Sequence, residues 1–331
     1  VGPPPRRWDG SELINLKDAH RAYNWFDEWG WTKSIRLPFT GNNGWTRYGR
    51  VILPVSPVIS ITNIDAIFHP TEKKVYLYAS RVISSGSDGI DLYISEQNNF
   101  TNFTRYGKVI AKGASSPDNV EAAVPKVLYD EYEPDPAYRW KMWYHAKDAT
   151  TYRCCRAHSA DGLTWIKDGA VTDPNYYRYS ICVIRVGKKY FGYATQNDFD
   201  IHLRLSDDGG MTWAYQQKVI PRGVLGEWDA SNVYYPSDFW FMGTHYLLYT
   251  GYDSTIPEMA IGMALSNDGI HGTDGLTNYW KWLNNPVARN PFDPPNKFLY
   301  NACIIPYEGS FKMYVAERQA GIDATALYTL P

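Results

Sequence analysis

The chain has 331 residues, is 44% hydrophobic and 21% charged, and carries a formal net charge of -2. This composition is that of a globular protein, and the charge balance argues against a nucleic-acid partner. No apolar run is long enough to span a membrane, so we expect no membrane partner either. The aromatic content of 16% is high, and aromatic side chains favour β-strands.

The first residues predict an extended arm and one helix. Residues 1–10 are rich in proline and polar side chains. Ser11 is a suitable N-cap, and the apolar residues after it recur at helical spacing: Leu13, Leu16, Ala19, Tyr23 and Phe26. We therefore predict an N-terminal region of residues 1–40, with a helix over residues 11–29. This helix is also a candidate contact for a homodimer.

Residues 41–331 contain a unit of about 50 residues that recurs five times, a period typical of propeller blades. The clearest part of each unit is an aromatic-rich strand that ends in a polar tip: KVYLYASR, WKMWYHAKD, KYFGYATQND, HYLLYTGYD and FKMYVAER. All five segments alternate as β-strands do. A third strand follows each of them, and a fourth strand follows in the first four units.

The sequence TRYG occurs twice and indicates how the ring closes. In NFTRYGKVI it belongs to the fourth strand of the first unit, whereas WTRYGRVI at residues 45–52 precedes every unit. The fifth unit ends after its third strand, so the earlier TRYG segment can pair with that strand and serve as the missing fourth strand. Such closure removes an exposed strand edge. The sequence thus predicts an all-β fold, a five-bladed β-propeller over residues 41–331 that is closed by an N-terminal strand.

Three turns between third and fourth strands share Ser, Asp and Gly. SDDGGMTW fits the Asp-box pattern S-x-D-x-G-x-T-W, SADGLTW is one residue shorter, and SNDGIHG is a relative. In such turns the Asp accepts backbone hydrogen bonds and the Gly supplies a positive φ. We therefore predict a structural role for Asp161 and Asp208, not a catalytic one.

The blade count, the Asp-box turns and the strands KMWYHA and YLLYTGYD resemble the arabinanase/levansucrase/invertase superfamily of propeller glycoside hydrolases. Each of these two strands follows an inner strand that contains a proline, Pro125 or Pro236. The superfamily includes glycoside hydrolase families 43, 32, 117 and 130, and the resemblance covers residues 45–331. The chain lacks the invertase-like WMNDPNG run and the phosphorylase motifs of family 130. The resemblance implies cleavage of glycosidic bonds by paired carboxyl groups.

Polar side chains stand at one end of every predicted blade. Inner strands start, and second strands end, at the same face, because antiparallel neighbours exchange ends. Convergent polar groups in a concave surface are typical of small-molecule sites. We therefore predict a substrate site on this face, with seven candidate binding residues: Arg81, His145, Arg178, Gln196, Tyr235, Glu317 and Arg318.

Asp65 is the candidate general base. In enzymes similar to family 43, the base is an aspartate that opens the inner strand of blade 1, and Asp65 in TNIDAIF matches that position. The plainer alternative for Asp65 is a turn or bulge residue.

The general acid is harder to assign. The resemblance implies a glutamate on blade 3, but the inner strand YYRYSICV of that blade has no carboxylate. We assign Glu121 of blade 2, in the segment VEAAVP, as the acid, with Asp253 or Asp148 as a helper. Two alternatives stay open. The acid could be a carboxyl group at a second-strand end, namely Asp148, Asp253 or Glu317, or it could be a histidine as in family 117, namely His145.

The favoured function is hydrolysis of a glycosidic bond in an oligo- or polysaccharide, with inversion. One alternative is a carbohydrate-binding propeller without catalysis. Another is a sialidase-like enzyme that binds an acidic sugar through Arg81, Arg178 and Arg318, although sialidases have six blades. We expect no cofactor, although a structural cation could sit in the funnel, and an extracellular or periplasmic location. The four cysteines show no metal spacing and are expected to be buried.

Overall fold

The fold consists of five four-stranded antiparallel sheets arranged in a ring. The computed structural model describes residues 6–8, 13–15, 45–173, 181–241, 243–256, 258–271, 279–281, 285–291, 298–308 and 310–330. The inner strands of neighbouring sheets contact one another from blade 1 to blade 5 and from blade 5 back to blade 1. This closed ring confirms the predicted all-β, five-bladed propeller.

In each blade the first strand lines the central channel and the fourth strand forms the outer edge. Blade 1 consists of Ser60–Phe68, Val75–Ile83, Gly86–Ser95 and Phe103–Ala111. Blade 2 consists of Glu121–Tyr129, Trp140–Lys147, Tyr152–Ser159 and Ile166–Ala170, with a 3-10 turn at Pro136–Tyr138. Blade 3 consists of Cys182–Val186, Lys189–Thr195, Ile201–Ser206 and Ala214–Ile220. Blade 4 consists of Asn232–Phe241, Thr244–Asp253, Glu258–Ser266 and Trp280–Lys281. Blade 5 consists of Leu299–Tyr307, Ser310–Gln319, Ile322–Leu330 and the closing strand Thr46–Ile52.

The apolar core is divided among the five blade interfaces. Each of five clusters of buried side chains joins two neighbouring blades, as Trp143 and Tyr190 do between blades 2 and 3. Phe239 of blade 4 likewise packs against Phe311 of blade 5, with ring centroids 5.9 Å apart. Many aromatic residues in the described part of the chain therefore pack between neighbouring sheets, where they bury a large apolar area.

The closing strand confirms the reading of the repeated TRYG sequence. Thr46–Ile52 pairs antiparallel with Ile322–Leu330, the third strand of blade 5. Arg47 donates two hydrogen bonds to the Glu317 carboxylate, at 2.6 and 2.8 Å, and Arg105 in the second copy does the same to Asp91, at 2.7 and 2.9 Å. Both copies thus place a bidentate arginine over a buried acid of their own blade.

The three Asp-box turns tie blades 2, 3 and 4 to the blade before each of them. Asp161 and Asp208 each accept two backbone N–H groups in their own turn, which confirms their structural role. The carbonyl of the turn glycine then accepts a hydrogen bond from an aromatic side chain on the second strand of the preceding blade. These contacts are Tyr78 to Gly162 at 2.7 Å, Trp143 to Gly210 at 2.9 Å and Tyr193 to Gly269 at 2.7 Å.

The N-terminal region differs from the prediction where it can be compared. Leu13–Asn15 forms a short strand that pairs with Arg6–Trp8, so the helix predicted over residues 11–29 is wrong at these three residues. Their backbone groups bond across this hairpin instead of along a helix. The rest of the predicted helix, and with it the dimer contact, lies outside the described residues. No helix in the described part of the chain is long and apolar enough to cross a bilayer.

We predict that Glu317→Gln weakens ring closure. Glu317 is fully buried and also lies 3.2 Å from Arg50, so neutralising it leaves two arginines without their countercharge. The free energy of unfolding should fall by about 3 kcal/mol, as expected when one partner of a buried ion pair is removed. Urea titration measures this, with the exposed Asp207→Asn as the control, whose effect should stay within about 0.5 kcal/mol. A loss as small as the control's would show that backbone pairing alone closes the ring.

Candidate active site

The same β-bulge interrupts four of the five inner strands. Its central residues are Asn63, Val124, Tyr235 and Asn301, with φ of 47°, 52°, 49° and 49°. The register of each inner strand against its second strand shifts at this point. In blade 3 the corresponding segment falls within residues 174–180, outside the described residues. The bulges divide the channel into the part lined by strand starts and the part lined by strand ends.

Asp65 lies deeper in the channel than the sequence predicted. It is the sixth residue of Ser60–Phe68 and follows the bulge, whereas the prediction put it at the strand start. It lines a cavity of about 160 Å³ that is formed by the strand segments beyond the bulges: residues 65–68, 126–129, 182–183, 237–239 and 303–306. The cavity therefore occupies the channel half opposite to the predicted face.

The Asp65 carboxyl group is held in conditions that favour its protonated form. Its residue is 7% exposed, Oδ2 accepts a hydrogen bond of 2.7 Å from the Val127 N–H, and Oδ1 lies 3.8 Å from Lys126 Nζ. Burial raises the pKa of Asp65 to about 6, outweighing the lowering by Lys126 and Val127, and the nearby Asp238 raises it further. A carboxyl group that titrates near pH 6 suits a proton donor better than the base that the sequence suggested.

Lys126 carries a positive charge into the centre of the channel. The residue is 3% exposed, and its Nζ lies 3.5 Å from the amide oxygen of Asn301, on blade 5. The Asn301 amide nitrogen in turn lies 3.5 Å from the amide oxygen of Asn63. Side chains from blades 1, 2 and 5 thus form a polar belt at the level of the bulges, next to Asp65.

Asp238 is a channel carboxylate that the sequence analysis missed. It stands on the inner strand of blade 4, lines the same cavity as Asp65, and accepts a hydrogen bond of 3.0 Å from the Cys182 thiol. Strand starts were the predicted positions of site residues, whereas Asp238 lies beyond the bulge at Tyr235. Pro236 could have indicated this residue. VPK in blade 2 and YPS in blade 4 mark equivalent positions of the two inner strands, and Asp238 directly follows the second of these segments.

Glu121 and His145 are brought together, but outside the cavity. His145 Nε2 lies 3.9 Å from Glu121 Oε2, and burial lowers the pKa of His145 to about 4, so its ring is neutral at pH 7. Glu121 opens the inner strand of blade 2, five residues before Lys126, which is on the order of 15 Å along an extended strand. The two residues therefore belong to the other half of the channel from Asp65.

Asp148 and Asp253 both fix turns at the ends of second strands. Asp148 accepts backbone hydrogen bonds from Thr150 and Thr151, at 2.9 and 2.8 Å, and Asp253 accepts one from Thr255 at 2.9 Å. These bonds hold the pKa of both carboxyl groups below the usual range. Their surroundings thus favour a structural role over proton transfer.

The predicted binding residues are largely engaged with the fold. Arg81 lies 3.1 Å from Asp88, Arg318 forms a bidentate pair with Asp323 at 2.9 and 3.0 Å, and Glu317 is covered by the closing strand. These pairings give no support to the binding of an acidic sugar. Arg178 lies outside the described residues, and Gln196 sits in the turn after the second strand of blade 3.

Tyr235, the bulge residue of blade 4, belongs to a row of aromatic rings. Its ring centroid lies 5.8 Å from that of Tyr234 and 6.2 Å from that of Tyr300, and Phe199 lies 6.2 Å beyond Tyr234. Phe199 and Tyr235 both have left-handed backbones, with φ of 62° and 49°. Such strain in residues other than glycine is frequent at ligand sites.

One group of three possible metal ligands occurs within the described ranges. Ligand atoms of Asp198, Asp200 and His202 lie within 4.8 Å of one another. The Lys218 ammonium, however, pairs with both aspartates and lies 3.3 Å from Asp198. The cluster therefore already has a countercharge from its own blade.

We predict that Asp65 makes stability depend on pH. Between its ordinary pKa of 3.8 and about 6 the folded protein keeps a proton that the unfolded chain releases, so stability falls as pH rises through this range. Relative to Asp65→Asn, the wild type should lose about 3 kcal/mol of unfolding free energy from pH 3.5 to pH 7. Urea titration of both proteins over this range measures the difference. Parallel curves would contradict the burial argument.

Comparisons with known proteins identify the fold. No family model matches the chain, and no curated protein is similar in sequence. A putative glycoside hydrolase from Parabacteroides distasonis is similar in structure, with a TM-score of 0.66 and 15% identity over 88% of this chain and 97% of its own. A β-1,2-mannobiose phosphorylase from Listeria innocua gives a TM-score of 0.66 and 13% identity, with coverage of 86% and 96%. The catalytic domain of a GH62 α-L-arabinofuranosidase from Coprinopsis cinerea gives a TM-score of 0.61 and 12% identity, with coverage of 87% and 98%. The chain thus has the five-bladed propeller fold of these glycoside-processing enzymes.

Proposed function

We propose that the protein cleaves a glycosidic bond of an oligo- or polysaccharide in the central cavity, with Asp65 as the proton donor. The observation that carries this proposal is the Asp65 carboxyl group itself, buried at a cavity wall with its pKa raised to about 6. Glycoside cleavage needs a carboxylic acid that keeps its proton until the leaving oxygen takes it. Burial supplies that condition here.

Fold similarity supports the class of substrate. The names of the similar structures include an endo-1,4-β-xylanase, an α-L-arabinofuranosidase and a β-1,2-mannobiose phosphorylase, all of which act on glycosidic bonds. At 12 to 15% identity this likeness concerns the fold, so the activity of the present chain rests on its own cavity. Inversion at the anomeric carbon and an extracellular or periplasmic location stay predictions.

A carbohydrate-binding propeller without catalysis is the second candidate. The row of Phe199, Tyr234, Tyr235 and Tyr300 favours it, because aromatic faces stack on the apolar faces of sugar rings. The two candidates differ in the role of Asp65. Binding through the aromatic row does not need this carboxyl group, whereas cleavage does.

We predict that the wild type releases reducing sugars from at least one glycan, and that Asp65→Asn lowers kcat by about 100-fold or more. A screen of plant, algal and bacterial glycans identifies the substrate, and NMR of the first product anomer tests inversion. Asp207→Asn, at an exposed site, is the control and should retain wild-type kcat. Full activity of Asp65→Asn would refute the assignment of the acid. Glycan binding without any product would establish the second candidate instead.

A further inference from the structure

We infer that Asp238 is the second reacting carboxyl group and that it works with Asp65 across the central cavity. This inference rests on the proposed function and names the residue that the function leaves unassigned. Asp65 belongs to blade 1 and Asp238 to blade 4, so the pair joins two blades that are not neighbours in the ring. A carboxyl pair on two walls of one cavity is the arrangement that glycoside cleavage requires.

The lining of the cavity singles out this pair. Of its seventeen lining residues in the described part of the chain, only Asp65 and Asp238 have carboxyl groups, and only Lys126 has an ammonium group. Most of the others are apolar, so charges at the walls of this cavity are weakly screened. Burial is the main cause of the raised pKa of Asp65, and the charge of the nearby Asp238 acts in the same direction.

The hydrogen bonds of Asp238 do not explain its burial structurally. Its Oδ1 accepts one bond, from the Cys182 thiol, and its buried Oδ2 accepts none from any described residue. The Nε2 atom of the buried His245 lies 3.6 Å from Oδ2, beyond hydrogen-bond distance. Asp148, by contrast, accepts hydrogen bonds from four neighbouring residues. A buried carboxylate with so few partners calls for another role, such as contact with a ligand.

The alternative second carboxyl group, Glu121, is separated from Asp65 by the bulges. It starts the inner strand of blade 2, is absent from the cavity lining and faces His145. Its side chain is 30% exposed, against 10% for Asp65 and 8% for Asp238, so it lies closer to solvent than the two cavity carboxyl groups. Depth in the channel thus favours Asp238 over Glu121.

The surroundings of Asp65 and Asp238 suggest a separate role for each carboxyl group in the reaction. Asp65 gives its proton to the glycosidic oxygen as the bond from that oxygen to the anomeric carbon breaks. The Asp238 carboxylate takes a proton from the water molecule whose oxygen forms the new bond to the anomeric carbon. One water is consumed, two sugar hydroxyl groups are formed, and proton exchange with solvent restores both carboxyl groups. The Lys126 ammonium group, 3.8 Å from Asp65 Oδ1, offsets the negative charge of the ionised carboxyl group.

Leaving-group dependence tests the assignment on a substrate found by the glycan screen. Asp238→Asn should lower kcat by about 100-fold or more on both the natural glycoside and a dinitrophenyl glycoside of the same sugar. Asp65→Asn should lose activity on the natural glycoside but keep activity within about tenfold on the dinitrophenyl glycoside, because that leaving group needs no proton. Glu121→Gln is the control for the competing residue and should stay within about threefold of the wild type.

Two results would overturn the inference while leaving the proposed function in place. One is wild-type kcat in Asp238→Asn together with a large loss in Glu121→Gln. The other is a dinitrophenyl glycoside that Asp238→Asn still cleaves at the wild-type rate. Failure of the wild type to cleave any glycan would instead refute the proposed function. Thermal unfolding of each variant confirms that it is folded.

A titration tests the pairing without a substrate. Removal of the Asp238 charge should lower the pKa of Asp65, because Asp238 acts to raise it. Carboxyl-carbon NMR of wild type and Asp238→Asn, with Asp65→Asn to assign the signal, measures this shift. A resonance that titrates near pH 6 in both proteins would show that the two groups do not interact, and would overturn the inference. Asp207→Asn, exposed and distant in sequence, should leave the titration unchanged.

Discussion

A buried acid held by a basic residue of the outer strand recurs in every blade. Outer strands have few buried side chains, so backbone pairing alone would hold them at an exposed edge. In each case the acid is at most 3% exposed, and loss of its partner would leave an uncompensated charge in the core. The five pairs are Arg105–Asp91, Lys167–Asp118, Lys218–Asp200, Lys281–Asp229 and Arg47–Glu317. The blades, and through them the channel, depend on these contacts.

The carboxylates that fix turns and strand edges have more hydrogen-bond donors than the two carboxyl groups of the cavity. Asp148 and Glu317 bond to several donors each, and such groups gain stability from remaining ionised. Asp65 and Asp238 have few donors and a largely apolar cavity around them. For Asp65 this burial raises the pKa to about 6, so that its carboxyl group can hold a proton at mildly acidic pH.

The repeat pattern predicted the architecture but not the depth of the site. Blade count, ring closure and Asp-box turns follow from spacing along the chain, which a single sequence displays. The bulges do not, because Val124 and Tyr235 are not residue types that usually take positive φ. The sequence therefore put Asp65 at the strand start, whereas it lies beyond the bulge, and did not single out Asp238. The helical spacing near Leu13 was a local signal that pairing with Arg6–Trp8 overrides.

The cavity can form only after the ring of blades has closed. Arg47 and Glu317 are 270 positions apart, and the Lys126–Asn301 contact spans 175. Contacts this distant in sequence form late, because a long loop must be closed before either end gains stability. During synthesis, four blades can be complete while the channel still lacks one wall and its polar belt. The cavity is thus completed only with the strands of blade 5, which supply residues 303–306 of its lining.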